Sequence, residues 1–237
     1  MTELRVDWCS HEAAKYAVEK WHYSRRMPAT IQKPVKLGVW EDGCFIGAVV
    51  FGCGASSTLG AQFGVEKQHV AELVRVALQI RHATPVSQIV ATALRMLKSQ
   101  SPNLRLVISF ADPFQNHHGG IYQAGNWIYT GVSSDSTVYI SADGHEFHGR
   151  NVGAYTGHDK YGVKRYARSE MAREERRPGK HRYLYPLDRA MRKQIEPLRQ
   201  PYPKRVPRGP SVESDTVGDQ PAEAGATPAG RSLELTP

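Results

Sequence analysis

The alternation of apolar and polar positions assigns most elements before any composition is counted. VKLGVWEDGCFIGAVVFG (35–52) holds two apolar runs joined at Glu41-Asp42-Gly43. The Asp-Gly pair suits the positive φ angles of a tight turn, so the segment predicts a hairpin. ELVRVALQI (72–80) reads as a strand with Arg75 a charged intruder between Leu73 and Ala77. After the turn-like RHATPVS, Ile89, Val90, Ala93, Leu94 and Leu97 recur at the spacing of one helical face, which predicts a helix beginning near Pro85. LRLVISFADP predicts a buried strand stopped at Pro113, GGIYQAGNWIYTG a short helix broken at Gly125, and STVYISADGHEF a further strand with its own Asp-Gly turn. A first helix precedes the hairpin and ends in WHYSRRMP (21–28). The order helix, hairpin, strand, helix, strand, helix, strand predicts an α/β fold, a mixed sheet covered by helices.

Composition sharpens this in two places. Of 237 residues, 40% are hydrophobic and 23% charged, with a mean hydropathy of -0.49, more polar than one compact domain requires. The surplus is C-terminal: residues 200–237 are rich in Pro, Gly and Ser, hold one aromatic and show no apolar periodicity, so a disordered tail is expected. No run of about 18 apolar residues occurs, and the first residues carry acids and His where a signal peptide would be apolar. Membrane insertion and export are therefore not expected, and the cytoplasm is the expected location. Three cysteines without CxxC spacing suggest neither a disulfide framework nor a cysteine zinc site, and Cys44 and Cys53 are expected in the core.

Charge is the second place. Residues 1–163 hold 15 basic and 13 acidic groups, residues 164–199 hold 12 and 5, and residues 200–237 hold 4 and 5. Nearly all of the net +8 thus sits in one segment, and a concentrated positive field attracts a polyanion such as DNA. The expected organisation is a catalytic domain over 1–163, a basic, DNA-contacting extension over 164–199 and a tail over 200–237. Arg173, Arg176, Arg177, Lys180 and Arg182 are the expected phosphate contacts, unless Glu174, Glu175 and Glu196 neutralise the segment. In that case DNA is expected across Arg25, Arg26, Lys33 and Lys36.

The order of elements resembles the GCN5-related N-acetyltransferase fold over roughly residues 4–142. Within it, WHYSRRMP, KLGVWEDGCFIGAVVFG, ELVRVAL and ISFADPFQNHHGGIYQAGNWIYTG together resemble the Mom proteins of Mu-like bacteriophages. That resemblance implies a phage enzyme that converts adenine in DNA to N6-(carbamoylmethyl)adenine and so protects the genome from host restriction. It implies double-stranded DNA of phage and host as partner, and the host cytoplasm as location; a homodimer is left open. The fold resemblance further implies a donor linked to coenzyme A, such as acetyl-CoA, held at the turn after the fourth strand. Here that turn, Gln79 to Ser87, has no glycine, although Arg81, Thr84 and Ser87 offer contacts and a helix start offers free N–H groups.

Candidate chemistry collects in the matching blocks. His22 and Tyr23 lie in the segment that borders the acceptor site in the acetyltransferase fold, and Asp112 ends an apolar strand, where sites open in α/β sheets. Each has a bland reading: a helix cap, a core aromatic, a turn aspartate before Pro113. Tyr122 takes the position of the acid to a leaving thiolate, with a core tyrosine as the alternative. Arg75 needs a partner if buried, so an active-site anion or carboxylate is expected. His117 and His118 read first as loop residues, as do His145 and His148. Adenine N6 is a weak nucleophile, stacked and paired in a duplex, so an enzyme must flip the base, grip it between aromatic faces and take a proton. Trp21, Tyr23 and Trp127 are candidate faces, and His22 or Asp112 the candidate base. Joining N6 to a CH2 carbon is not thioester chemistry, which motivates an iron held by His22, Tyr23 and Asp112. Two other classes remain: a conventional acetyl-CoA-dependent N-acetyltransferase and a non-catalytic DNA-binding protein.

Overall fold

The computed structural model describes residues 2–27, 34–53, 58–158 and 164–204. Its main sheet has seven strands. β1 (Leu4–Trp8) leads to helix α1 (His11–Trp21), then β2 (Val35–Glu41), β3 (Cys44–Gly52) and β4 (Val70–Leu78). Helix α2 (Val86–Gln100), β5 (Leu106–Ala111), helix α3 (Gly120–Ala124) and β6 (Ile128–Val132) follow. Next come β7 (Ser136–Ser141), β8 (Glu146–His148), β9 (Val152–Gly153), β10 (Gly157–His158), β11 (Lys164–Ala167) and β12 (Met171–Arg177). β13 (His181–Pro186) and helix α4 (Arg189–Ile195) complete the order. The main sheet runs β1-β2-β3-β4-β5-β13-β6, and two three-stranded sheets, β12-β7-β8 and β10-β11-β9, are inserted between β6 and β13. The mixed sheet flanked by helices matches the fold class expected from the sequence.

Local chemistry explains the elements. Ser10 caps α1 through the Ala13 N–H, and the β2–β3 turn has Asp42 and Gly43 at φ 48 and 78, as the Asp-Gly pair requires. The apolar stripe of α2 packs with Ala71, Leu73, Val107, Tyr122, Trp127 and Tyr183 on one side of the sheet. The other side is shared: Ala14, Ala17 and Val18 of α1 cover Ala48, Val50 and Ala77, while Met191 and Ile195 of α4 cover Val70, Leu106, Ile108 and Leu184.

Three expectations are corrected. The 163/164 boundary falls inside one compact unit, because HRYLYP (181–186) is an interior strand whose Tyr183 and Leu184 are fully buried. The positive segment is thus part of the fold and not an appendage to it. β13 pairs along its whole length with β5 and, through His181, Tyr183 and Leu184, with β6. Cys44 is exposed and Cys53 half-buried, because each lies at an end of β3. Third, residues 200–204 are docked. Gln200 N–H donates to Tyr129 O at 2.9 Å, Tyr202 Oη to Trp127 O at 2.6 Å, and Gln123 Nε2 to Pro203 O at 3.2 Å. The remainder of the expected tail, from 205, and Lys33 lie outside the described residues. Removing a hydrogen bond of this kind costs about 0.5–1.5 kcal/mol. A chain cut after Arg199 should therefore unfold in urea about 1–3 kcal/mol more easily than one cut after Lys204; coincident unfolding curves would show that the docked residues contribute nothing.

Candidate functional site

The site grows from a parting of two strands. β4 and β5 pair in parallel only at Val70–Leu106, Ala71–Val107 and Glu72–Ile108, after which β4 stays with β3. The gap is bridged by one side chain: Ser109 Oγ donates to Leu73 O at 2.9 Å. A hydroxyl has a single proton, so Tyr122 Oη, 2.8 Å away, donates to Ser109 Oγ. Tyr122 is 8% exposed, and burial pushes its hydroxyl up to about 12. It stays protonated, with that proton directed at Ser109.

A register shift between Val50 and Phe51 leaves Val74 unpaired as a β-bulge. Leu73 and Val76 face α2, whereas Arg75 and Ala77 face α1. The bulge thus turns the charged intruder out of the apolar face. The Arg75 guanidinium donates to Val74 O at 2.8 Å and to Arg26 O at 3.4 Å, and its buried Nε has no partner. Burial lowers its pKa, against the charges of Tyr23 and Glu72, which raise it. Arg75 therefore belongs with His22 and Tyr23 rather than with the turn after β4.

His22 caps the C-terminus of α1 through its N–H to Val18 O. Its Nδ1 accepts the Ser24 N–H at 3.1 Å, with Ser24 Oγ at 2.8 Å, so the ring proton sits on Nε2. Burial, then Arg75 and His117, push its pKa down to about 3, and His22 is a neutral hydrogen-bond donor. Arg25 N–H closes the turn on His22 O at 2.9 Å, with Arg25 at φ 48, the left-handed region that a residue with a side chain enters only under constraint. Tyr23 is 48% exposed, stacked on His22 at 4.3 Å between ring centroids and edge-on to His117 at 5.2 Å. His117 follows β5; burial lowers its pKa, outweighing Asp112, so it too is neutral at pH 7. His117, read first as a loop residue, and Glu72, which sequence reasoning does not single out, are members of the cluster; their nearness to strands that part in space has no local signal.

Other expected residues sit differently. Asp112 accepts the Phe114 N–H at 3.0 Å and pairs with Lys180 at 2.7 Å, which commits its carboxylate to the loop and to the segment leading into β13. Among the described residues no three His, Cys, Asp or Glu side chains are placed to share a metal, and of the expected His22, Tyr23 and Asp112 iron set the Asp112 carboxylate is engaged by Lys180. Trp127 is 1% exposed and offers no face to a base; Trp21 is half-buried against Phe45 and Tyr16. At the turn after β4, Arg81 is exposed, Ser87 half-buried and Thr84 buried, and the N–H groups of Ala83 and Thr84 are already bonded to Glu41.

The basic residues are largely paired. Arg168 bonds Glu174, Arg173 bonds Glu175 at 2.9 Å, and Arg177 is held by Glu146 and Glu175 over the Phe114 ring. Arg192 and Arg199 share Glu196, and Arg182 donates to Thr130 and Gln62. The neutralisation by Glu174, Glu175 and Glu196 considered from sequence is therefore present. Arg176 is exposed, 3.8 Å from Asp135. Arg25 and Arg26, both exposed, line a cleft of about 540 Å³ with Ser24 and the β7–β8 turn, Asp143 to Glu146. Asp143 there pairs with His145 at 3.1 Å, and Glu146 with Arg177.

The depressed His22 pKa has a pH consequence. An unfolded chain binds a proton at this ring near pH 6.5, whereas the folded chain does so only near 3. Stability then rises with pH across that interval and is lost as pH falls through it. Thermal melts from pH 7 to pH 4 should show a falling Tm for the wild type and a shallower fall for His22→Gln; parallel slopes would place His22 in water.

The chain is 27% identical over 208 residues to the methylcarbamoylase mom of Escherichia phage Mu, covering 85% of this chain and 84% of the phage protein. Among solved structures, spermidine N-acetyltransferase from Vibrio cholerae, in complex with CoA and spermine, has 8% identity and a TM-score of 0.42, covering 77% of this chain and 95% of its own. Aminoglycoside acetyltransferase AAC(6')-Ib, in complex with coenzyme A and kanamycin, has 10% identity and a TM-score of 0.44, covering 82% and 99%. Residues 3–204 match the model of the Mom protein family, a span that takes in every described strand and helix and the whole cluster around Tyr23. The chain belongs to the Mom protein family.

Proposed function

We propose that this chain is a DNA-modifying transferase that places a carbamoylmethyl group on N6 of adenine and thereby shields phage DNA from host restriction enzymes. The observation that carries the reading is the family match over residues 3–204, which includes the cluster at the β4–β5 opening. The cluster supports it chemically. Tyr23 is the exposed ring on which an extrahelical base can stack. His22, neutral and protonated on Nε2, donates to an acceptor on the base or the donor molecule. His117, neutral beside Tyr23, is the base placed to accept the proton that N6 gives up, whereas Asp112 is tied up by Lys180. The Arg75 guanidinium, bonded to the carbonyls of Val74 and Arg26, supplies the positive charge near Tyr23 for a carbonyl or anionic group.

DNA in this reading crosses the cleft beside Tyr23, with Arg25 and Arg26 on backbone phosphates and Arg176 farther along the inserted sheet. No described helix is long and apolar enough to cross a membrane.

Nucleoside mass spectrometry of DNA from cells expressing the chain tests the function. It should show deoxyadenosine heavier by one carbamoylmethyl group; an N6-acetyl product would mark a conventional acetyltransferase, and unmodified deoxyadenosine a binding protein. Tyr23→Ala and His22→Ala should abolish the modified nucleoside while leaving circular dichroism unchanged; activity in both variants would make the cluster structural. Reversing Arg25 and Arg26 together should reduce the logarithmic salt slope of DNA binding by roughly 0.9 for each phosphate left without its arginine, whereas reversing the already paired Arg173 and Arg192 should leave it nearly unchanged. The opposite pattern would move DNA onto β12 and α4.

A further inference from the structure

The turn from β4 into α2 is the place where the acetyltransferase resemblance puts the pyrophosphate of a nucleotide-linked donor. In this chain the turn already holds an anion of its own. Glu41, the last residue of β2, is 9% exposed, and its carboxylate accepts the Thr84 N–H at 2.6 Å and the Ala83 N–H at 2.9 Å. The next residue, Pro85, caps α2 and has no N–H to offer. His82 Nδ1 closes on Thr84 O at 2.8 Å, which folds the turn tightly around these bonds. His82, Ala83 and Thr84 also carry β-carbons where close approach of phosphate to backbone favours glycine.

Charge-assisted bonds from backbone N–H groups to a carboxylate are short and strong. The Thr84 hydroxyl, then the backbone N–H of Ala83 and that of Thr84, hold the Glu41 carboxyl below the usual carboxylate range, so it is ionised at neutral pH. A pyrophosphate arriving at the turn would meet a fixed negative charge and two N–H groups already committed. We propose that Glu41 is the resident anion of the β4–α2 turn and a specificity determinant: it refuses donors carried on a nucleotide diphosphate, coenzyme A included. The donor of this chain then enters the β4–β5 opening without a diphosphate anchored at the turn. The inference concerns the donor side and stands whatever the acceptor proves to be.

Calorimetric titration of the full-length wild type with coenzyme A, and separately with inorganic pyrophosphate, tests it. The wild type should bind neither saturably, and Glu41→Ala, shown to be folded by circular dichroism, should bind each at least tenfold more tightly. A purely structural cap for α2 predicts reduced stability without increased affinity, so a folded variant that binds no better than wild type overturns the proposal. Saturable binding of coenzyme A by the wild type, unimproved by the substitution, overturns it as well. If Glu41→Ala fails to fold, Glu41→Gln and the wild-type amide resonances decide. The Gln variant should bind more tightly, and the Ala83 and Thr84 resonances of the wild type should stay put as pyrophosphate is added; their selective displacement in the wild type rejects the idea.

Discussion

Three residue pairs hold β4 against β5, and everything chemical in this molecule depends on that short ladder ending where it does. Beyond Glu72 and Ile108 the strands have no common ladder, and their backbone groups must find other partners because buried N–H and C=O groups are costly to leave alone. Ser109 supplies one by bonding Leu73 O, and Tyr122 completes the chain of hydroxyls beneath it. On the opposite edge β5 is held by six pairs to β13. β4 is held in turn by β3 from Glu72 to Leu78, so both walls of the opening are fixed, which is what a site needs if a ligand is to enter between two strands without melting the sheet.

The same strand accounts for the loop that carries His117. Lys180, one residue ahead of β13, pairs with Asp112, and Tyr183 within β13 donates from its hydroxyl to His118 O at 2.5 Å. Gln123 reaches both His118 O and the Tyr183 hydroxyl. The 112–118 loop is therefore clamped at its start and its end by residues from 180–183, part of the 164–199 segment that composition reads as a DNA-contacting extension. The positive charge of β12 serves the fold first: Arg173 and Arg177 pair with carboxylates of β12 itself and of the β7–β8 hairpin and so fix the inserted sheet, although exposed pairs of this kind add little stability each.

Legibility followed the physics of each element. The 35–52 hairpin, α2 and the strand before Pro113 were readable because turn chemistry and periodicity are local signals. β1 was missed because LRVDW alternates charge with apolar residues over only five positions, and β13 because the basic residues around it masked the buried Tyr183 and Leu184. In the site, Arg75 was recognisable as a charge out of place, yet the bulge at Val74 that turns it toward α1 is a property of register and has no sequence signature. Trp127 and Asp112 were assigned by residue type, and only packing shows the first sealed against Tyr122 of α3 and the second committed to Lys180.

β4 ends up with two features that attract negative charge, and they are in opposite states. At its far end the amides of the turn are saturated by Glu41, a contact between residues 42 and 43 positions apart in the chain. In its middle Arg75 is half-buried near Tyr23 and His22, and its buried Nε is unbonded. A buried guanidinium with a spare donor is costly unless a ligand completes it, whereas a saturated turn gains nothing from one. In the proposed function the polar group that a donor or a base presents meets the charge of Arg75 and not the helix start. The N6 proton then goes to His117, whose imidazolium is favoured by the neighbouring Asp112 carboxylate.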